Sequence, residues 1–181
     1  LALYLRIAPE LYLKRLLVGG FERVFEIGKS FRNEGIDRTH NPEFTMLEAY
    51  AAYGDYTTMM DLFERGTAFA AKKVIGATRF LIPEGFEGAG REVELAPPWN
   101  RVAFLDAIVE GGGPRMTGEE PPEEIDAAFD KFAEKRLIDP TFVVDFPVSI
   151  SPLAKRRPDA PHLAERFEPF LGGHEIGNAF S

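Results

Sequence analysis

The chain has 181 residues, 45% of them hydrophobic, enough for one domain with its own core. Twenty-nine acidic residues outnumber 21 lysines and arginines, and the net charge of -8 argues against a surface built mainly to grip a nucleic-acid backbone. With no cysteine there is neither a disulfide framework nor a thiolate zinc site, which suits a reducing, cytoplasmic setting, and no apolar run approaches the roughly eighteen residues of a membrane span.

In chain order, Pro9 opens a helix that Gly19 and Gly20 close, with Leu13, Leu16 and Leu17 as its apolar stripe. Two antiparallel strands follow, from about residue 21 to 34 and from about 44 to 53. The period of two puts Glu26, Arg32, Glu34, Phe44, Glu48 and Tyr50 on one face. Phe21, Phe25, Ile27, Phe31, Leu47 and Ala51 form the other, and this apolar face is expected to pack on a core. Met59, Leu62, Phe63, Gly66, Phe69, Ala70 and Lys73 recur at three and four, which predicts an amphipathic helix over 57–75 stopped by Gly76. Short strands over 80–82 and 92–95 pair around the glycine-rich turn 84–90. A helix over 122–137 and a buried strand over 141–146 complete an α+β fold, an antiparallel sheet flanked by helices with the site on its open face.

The even face of the hairpin carries the chemistry. Arg32 offers a planar cationic fork for phosphate or carboxylate, a carboxylate beside it can accept from an amine, and a ring can stack on a heterocycle. The plainer reading is a solvated strand face with charge pairs across the hairpin, and the clustered aromatics argue against it. Lys155, Arg156 and Arg157 form a basic cluster between Pro152 and Pro158 without an aromatic residue to stack bases, and read as a solvated loop rather than an RNA contact.

Residues 6–15, 20–27, 31–35 and 40–45 resemble the second signature motif, with its lead-in, of the class II aminoacyl-tRNA synthetases, and within them the lysyl-tRNA synthetases. The resemblance resumes at 140–142, 151–154 and 166–181, so it brackets nearly the whole chain. It implies a partial catalytic domain over 1–181 with the second motif at 21–53. It also implies ATP-dependent activation of L-lysine to lysyl-adenylate and transfer to tRNA(Lys), with Mg²⁺ as cofactor and a homodimer in the intact enzyme. The rivals are a related ligase that lysylates a protein or lipid, and a non-catalytic paralogue that binds ATP or an amino acid.

Carried over residue by residue, Arg32 is the catalytic arginine between the amino-acid carboxylate and the α-phosphate. Glu34 reads the adenine amino group, Phe44 lies under the adenine, and His40 and Asn41 sit on the loop near the phosphates and base. Glu10, Glu48 and Tyr50 hold the lysine amino groups, with Asn178 and Phe180 as the far wall of that pocket. Glu168 and Glu175 hold Mg²⁺ against the triphosphate. Glu10 has a second reading, a carboxylate stabilising a helix N-terminus. Glu175 and Asn178 differ in parity, so a bulge at Gly177 is expected to re-aim one of them.

Some of the pattern is missing. The first and third motifs and the anticodon-binding domain have no counterpart here, the glutamate that selects the lysine side chain would follow Ser181, and the chain opens on Leu1, so it reads as an excerpt that is a poor enzyme alone. The stretch 111–124 is shorter than the helical insertion usual in bacterial lysyl enzymes, and Ala179 stands where glycine is usual.

Overall fold

The computed structural model of the chain describes residues 2–33, 35–36 and 40–181, and divides between Gly54 and Asp55 into two compact units. In the first unit, helix α1 (Glu10–Val18) starts after Pro9, whose fixed φ suits a helix entrance, and carries Glu10 in its first turn and Arg15 in its last, each favourable against the dipole. Gly20, at φ +103°, turns the chain out of the helix. Its N–H donates to the Leu17 carbonyl and that of Phe21 to the Leu16 carbonyl, the paired bonds of a glycine stop.

Strands β1 (Arg23–Phe31) and β2 (Glu43–Ala51) pair antiparallel, with Val24 opposite Tyr50, Glu26 opposite Glu48 and Ser30 opposite Phe44. Even-numbered side chains share a face as expected, but within this unit the covered face is the even one, which corrects the expectation. Phe25, Ile27 and Leu47 are 72, 64 and 62% exposed, whereas Ser30 is buried. The cause is the lead-in and α1. Arg6 lies across β1 with Nη2 where a Gly28 side chain would stand, 2.0 Å from an ideal Cβ, and Lys14 of α1 reaches over the Tyr50 ring at 6.0 Å.

The second unit begins with α2 (Tyr56–Val74), capped by Asp55, whose carboxylate accepts the Thr57 and Thr58 N–H groups at 2.9 and 3.1 Å. Met60 and Glu64 are its buried residues, while the expected stripe members Leu62 and Phe69 are exposed. The buried face is thus rotated from the expected one and includes Glu64, whose carboxylate accepts the buried Trp99 backbone N–H at 3.0 Å. Strands β3 (Arg79–Leu81) and β4 (Glu92–Glu94) pair antiparallel around the glycine-rich turn. The sequence reading did not anticipate β5 (Asn100–Ala103) or α3 (Phe104–Glu110). Helix α4 (Pro122–Phe132) is shorter than expected, and a 3₁₀ turn, Glu134–Arg136, replaces its last part.

Strands β6 (Thr141–Pro147), β7 (Leu163–Leu171) and β8 (His174–Glu175) extend β5 into one sheet in the order β5-β6-β7-β8, and β9 (Ala179–Phe180) also pairs with β7. The β5–β6 pair is parallel, so the sheet is mixed rather than wholly antiparallel; α3 and α4 lie in the long connection that a parallel pair requires. Strand β6 is covered on both faces, which is why it reads as a continuous apolar run. Phe142 packs with Met60, Leu95, Trp99 and Phe167, while Val143 packs with Phe104, Ile108, Ile125, Phe129 and Phe170. A bulge at Asp145, at φ +58°, brings Phe146 onto the Val143 side. No helix among the described residues is long and apolar enough to cross a membrane.

Candidate active site

The candidate side chains fall into two groups, one in each unit. In the first, the Arg32 N–H donates to the Pro42 carbonyl at 2.9 Å, continuing the hairpin ladder one step past Phe31 and Glu43. Arg32 therefore shares the even face of Phe44, and its guanidinium carbon lies 5.2 Å from the centroid of that ring, a cation–π distance. Asn41 shapes the return, its Oδ1 accepting the Glu43 N–H at 3.2 Å, and His40 sits beside it on the same exposed segment. Glu34 lies outside the described residues.

Further along the same face, the Tyr50 hydroxyl donates to Glu48 Oε2 at 2.7 Å. The Tyr50 phenol is pushed well above its ordinary value by burial first, then by that hydrogen bond and by the charges of Glu48 and Glu10, so it stays a neutral donor. Glu48 is directly opposite Glu26 in the ladder, a placement of like charges that is unfavourable unless compensated. Arg6 compensates it, with Nη1 ion-paired to Glu26 and Nε donating to the Lys29 carbonyl at 2.7 Å. Glu26 is thus engaged, leaving Glu48 with Tyr50. Glu10 is the first residue of α1, where its charge favours the helix dipole, and it pairs with Lys14 at 2.5 Å, so an incoming ammonium would have to share or replace Lys14.

In the second unit, Arg166 and Glu168 stand two apart on β7, hence on one face, and are ion-paired. Glu168 is nearly buried, and its carboxyl is pushed up to about 7, chiefly by burial and next by the Glu175 charge, with Arg166 pulling it part of the way back. Glu175 is also raised, by burial first, although much of the residue is exposed. The Glu175 charge is one of the causes that raise Glu168, and a divalent cation held by the two carboxylates would relieve it. Among the described residues no group of three or more His, Cys, Asp or Glu could hold a metal, and a carboxylate pair can hold an ion only where water or phosphate oxygens supply the other ligands.

The expected irregularity at Gly177 is present. Phe170 pairs with Glu175 and Arg166 with Phe180, so the return arm has one residue more than β7 between those pairs. Gly177 is required there for space, since a Cβ would stand 2.9 Å from Cε2 of Phe63 and 3.2 Å from Cγ of Pro169. The shift leaves Asn178 exposed with Oδ1 accepting from Arg166 Nε at 3.3 Å, and Phe180 paired across from Arg166. The sequence reading gave no role to Arg6 or Arg166; the period of two was the available signal for Arg166 with Glu168. The basic cluster is engaged within the protein: Lys155 pairs with Glu165 at 3.6 Å, Arg156 donates to the Pro161 carbonyl at 2.9 Å, and Arg157 pairs with Asp159 at 2.6 Å and Asp145 at 2.5 Å.

Comparison with known proteins adds to this geometry. The family model described as tRNA synthetases class II (D, K and N) matches residues 2–181. Curated relatives named lysine–tRNA ligase include that of Pelotomaculum thermopropionicum, 50% identical over 202 residues, that of Roseiflexus castenholzii, 50% over 200, and that of Clostridium acetobutylicum, 46% over 205. They cover 99, 99 and 100% of this chain, which spans only 39, 40 and 39% of their own lengths. The aligned spans exceed the 181 residues here, so each relative carries residues within the span that this chain lacks.

Proposed function

Because the chain belongs to the class II tRNA synthetases of the D, K and N group, we propose that it is the nucleotide- and amino-acid-binding part of an enzyme that activates lysine with ATP and transfers it to tRNA(Lys). The observation that carries this reading is Arg32 poised over the Phe44 ring at the end of the hairpin, in a chain whose curated relatives bear the name lysine–tRNA ligase. In the first step a lysine carboxylate oxygen attacks the α-phosphorus of ATP; the new P–O bond gives lysyl-adenylate and the broken one releases pyrophosphate. In the second, a ribose hydroxyl at the tRNA end attacks the adenylate carbonyl, loses its proton and displaces AMP.

Arg32 neutralises the carboxylate and the α-phosphate as they approach, so their mutual repulsion is lowered and the negative charge spread over the transition state is stabilised. Phe44 stacks under the adenine, Glu34 accepts from its amino group, and His40 and Asn41 line the nucleotide from the loop. Glu48 and Tyr50 supply the anion and the oriented hydroxyl for a substrate ammonium, whose burial without such partners would cost several kcal/mol. Glu10 receives the other amino group, while Asn178 and Phe180 wall the pocket. Glu168 and Glu175 would hold Mg²⁺, which supplies charge neutralisation of the triphosphate when bound. We assign the intact enzyme to the cytoplasm and to a homodimeric state.

Calorimetric titration of the full-length protein tests substrate class. Lysine is expected to bind, and to bind more tightly with ATP present, while aspartate gives no heat beyond dilution. Binding of aspartate in preference to lysine would overturn the reading.

A further inference from the structure

Arg166 uses every nitrogen of its guanidinium. Nη2 is paired with Glu168, Nη1 donates to the Ile150 carbonyl and to Ser151 Oγ, both at 3.0 Å, and Nε donates to Asn178 Oδ1 at 3.3 Å. The guanidinium lies over the Phe146 ring, with its carbon 4.5 Å from the centroid. Ser151 and Phe146 are buried, so the fork is held by the interior while its Nε edge reaches the exposed return arm.

This has a consequence for Asn178. A guanidinium has only donors, so the amide can meet it only through its oxygen. The opposite orientation would set N–H against N–H. The two amide N–H groups of Asn178 are therefore turned away from Arg166. Lysine offers donors at both ammonium groups and acceptors only at its carboxylate, so the N–H groups of an amide fixed in this sense can serve only the carboxylate end of the amino acid, while its oxygen is engaged by Arg166.

We propose that Arg166 is a positioning residue for amino-acid recognition: anchored on Glu168, Ser151 and Phe146, it fixes the Asn178 amide so that its N–H groups present to the substrate carboxylate. The proposal rests on the reading that Asn178 lines the lysine pocket. It adds a residue that touches neither lysine nor ATP but joins the carboxylate assigned to the metal with the amide assigned to the pocket. Lysine at this position would keep a charge near Glu168 but could not hold all of these partners in one plane.

Two variants of the full-length protein test it, read by lysine calorimetry without ATP or metal. Arg166→Lys is expected to weaken lysine binding about tenfold, the scale of one well-made polar contact. Asn178→Asp leaves Arg166 untouched, and its carboxylate still accepts from Nε, but an anion replaces the N–H donors. It is expected to weaken lysine by roughly a hundredfold or more, since like charges are then opposed. Were the amide turned the other way, with its oxygen toward an ammonium, Asn178→Asp would preserve or tighten binding. That result overturns the proposal, as does a lysine affinity within twofold of the parent in a folded Arg166→Lys protein. If Arg166→Lys fails to fold, Ser151→Ala, which removes one anchor of the guanidinium without changing Asn178, is read in its place: a severalfold weaker lysine affinity is expected, and the affinity of the parent overturns the proposal. Absence of lysine binding by the unmodified protein would instead count against the functional reading itself.

Discussion

Arg32 occupies the first position past the last paired rung of the hairpin, where a strand face ends and a loop begins. Its backbone is still held by the Pro42 carbonyl, while its side chain has the Phe44 ring beneath it. That combination fixes the approach of a long, flexible cation, and the ordering is done before substrate arrives. Replacing Arg32 by alanine in the full-length protein is expected to lower the rate of lysine-dependent ATP–pyrophosphate exchange about 10²–10³-fold, the scale for one charge-stabilising donor. A loss of less than threefold would remove Arg32 from the mechanism. This residue, with Phe44, Glu48 and Tyr50, was legible in the sequence because a strict period of two needs no tertiary information. Arg166 was not, since its partner Asn178 comes within reach only through the extra residue in the return arm.

At the scale of elements, two local devices hold the second unit in shape and each has a measurable worth. Asp55 begins α2, and its carboxyl lies below the ordinary aspartate range because of hydrogen bonds, first from the Thr57 hydroxyl and next from the Thr58 N–H. A folded-state value below the unfolded one means that the stabilisation is complete above the unfolded value and lost as pH falls through the folded one. Asp55→Ala should therefore cost about 1 kcal/mol in unfolding experiments at neutral pH, and the difference from the parent should close in acid. Gly177→Ala should destabilise by about 1–3 kcal/mol, because a methyl 2.9 Å from Phe63 must move a ring wedged edge-on against Trp99 and Phe142. A Gly177→Ala protein as stable as the parent would mean that the ring is not a wall.

Element types were readable where periodicity was long, as in α2 and the hairpin. Which face would be covered was not. Hydrophobicity alone assigned the Phe25, Ile27 and Leu47 face to a core, yet a guanidinium occupying the space over Gly28 decides the matter for the first unit. The buried Glu64 was invisible for a similar reason, since it answers a backbone N–H thirty-five residues away.

At the scale of the whole chain, the two units are stabilised unequally. The core clusters, with their stacked and edge-on phenylalanines, consist entirely of residues after Asp55, whereas the first unit is a helix and a two-stranded ribbon with one exposed apolar face. A ribbon of that kind is marginal by its own means. In the 181-residue chain, hydrogen exchange at the paired amides of β1 and β2 is expected to run at least about tenfold faster than at those of β6 and β7. Equal protection would show that the first unit has cover that its own contacts do not provide.

The most direct test of lysine activation is ATP–pyrophosphate exchange by the full-length protein with lysine, aspartate and asparagine supplied in turn. The account predicts exchange with lysine at least about a hundredfold faster than with either of the others, as expected of a site whose buried polar groups would be left unpaired by the wrong side chain. Exchange supported equally well by aspartate or asparagine, or none with lysine, would contradict it.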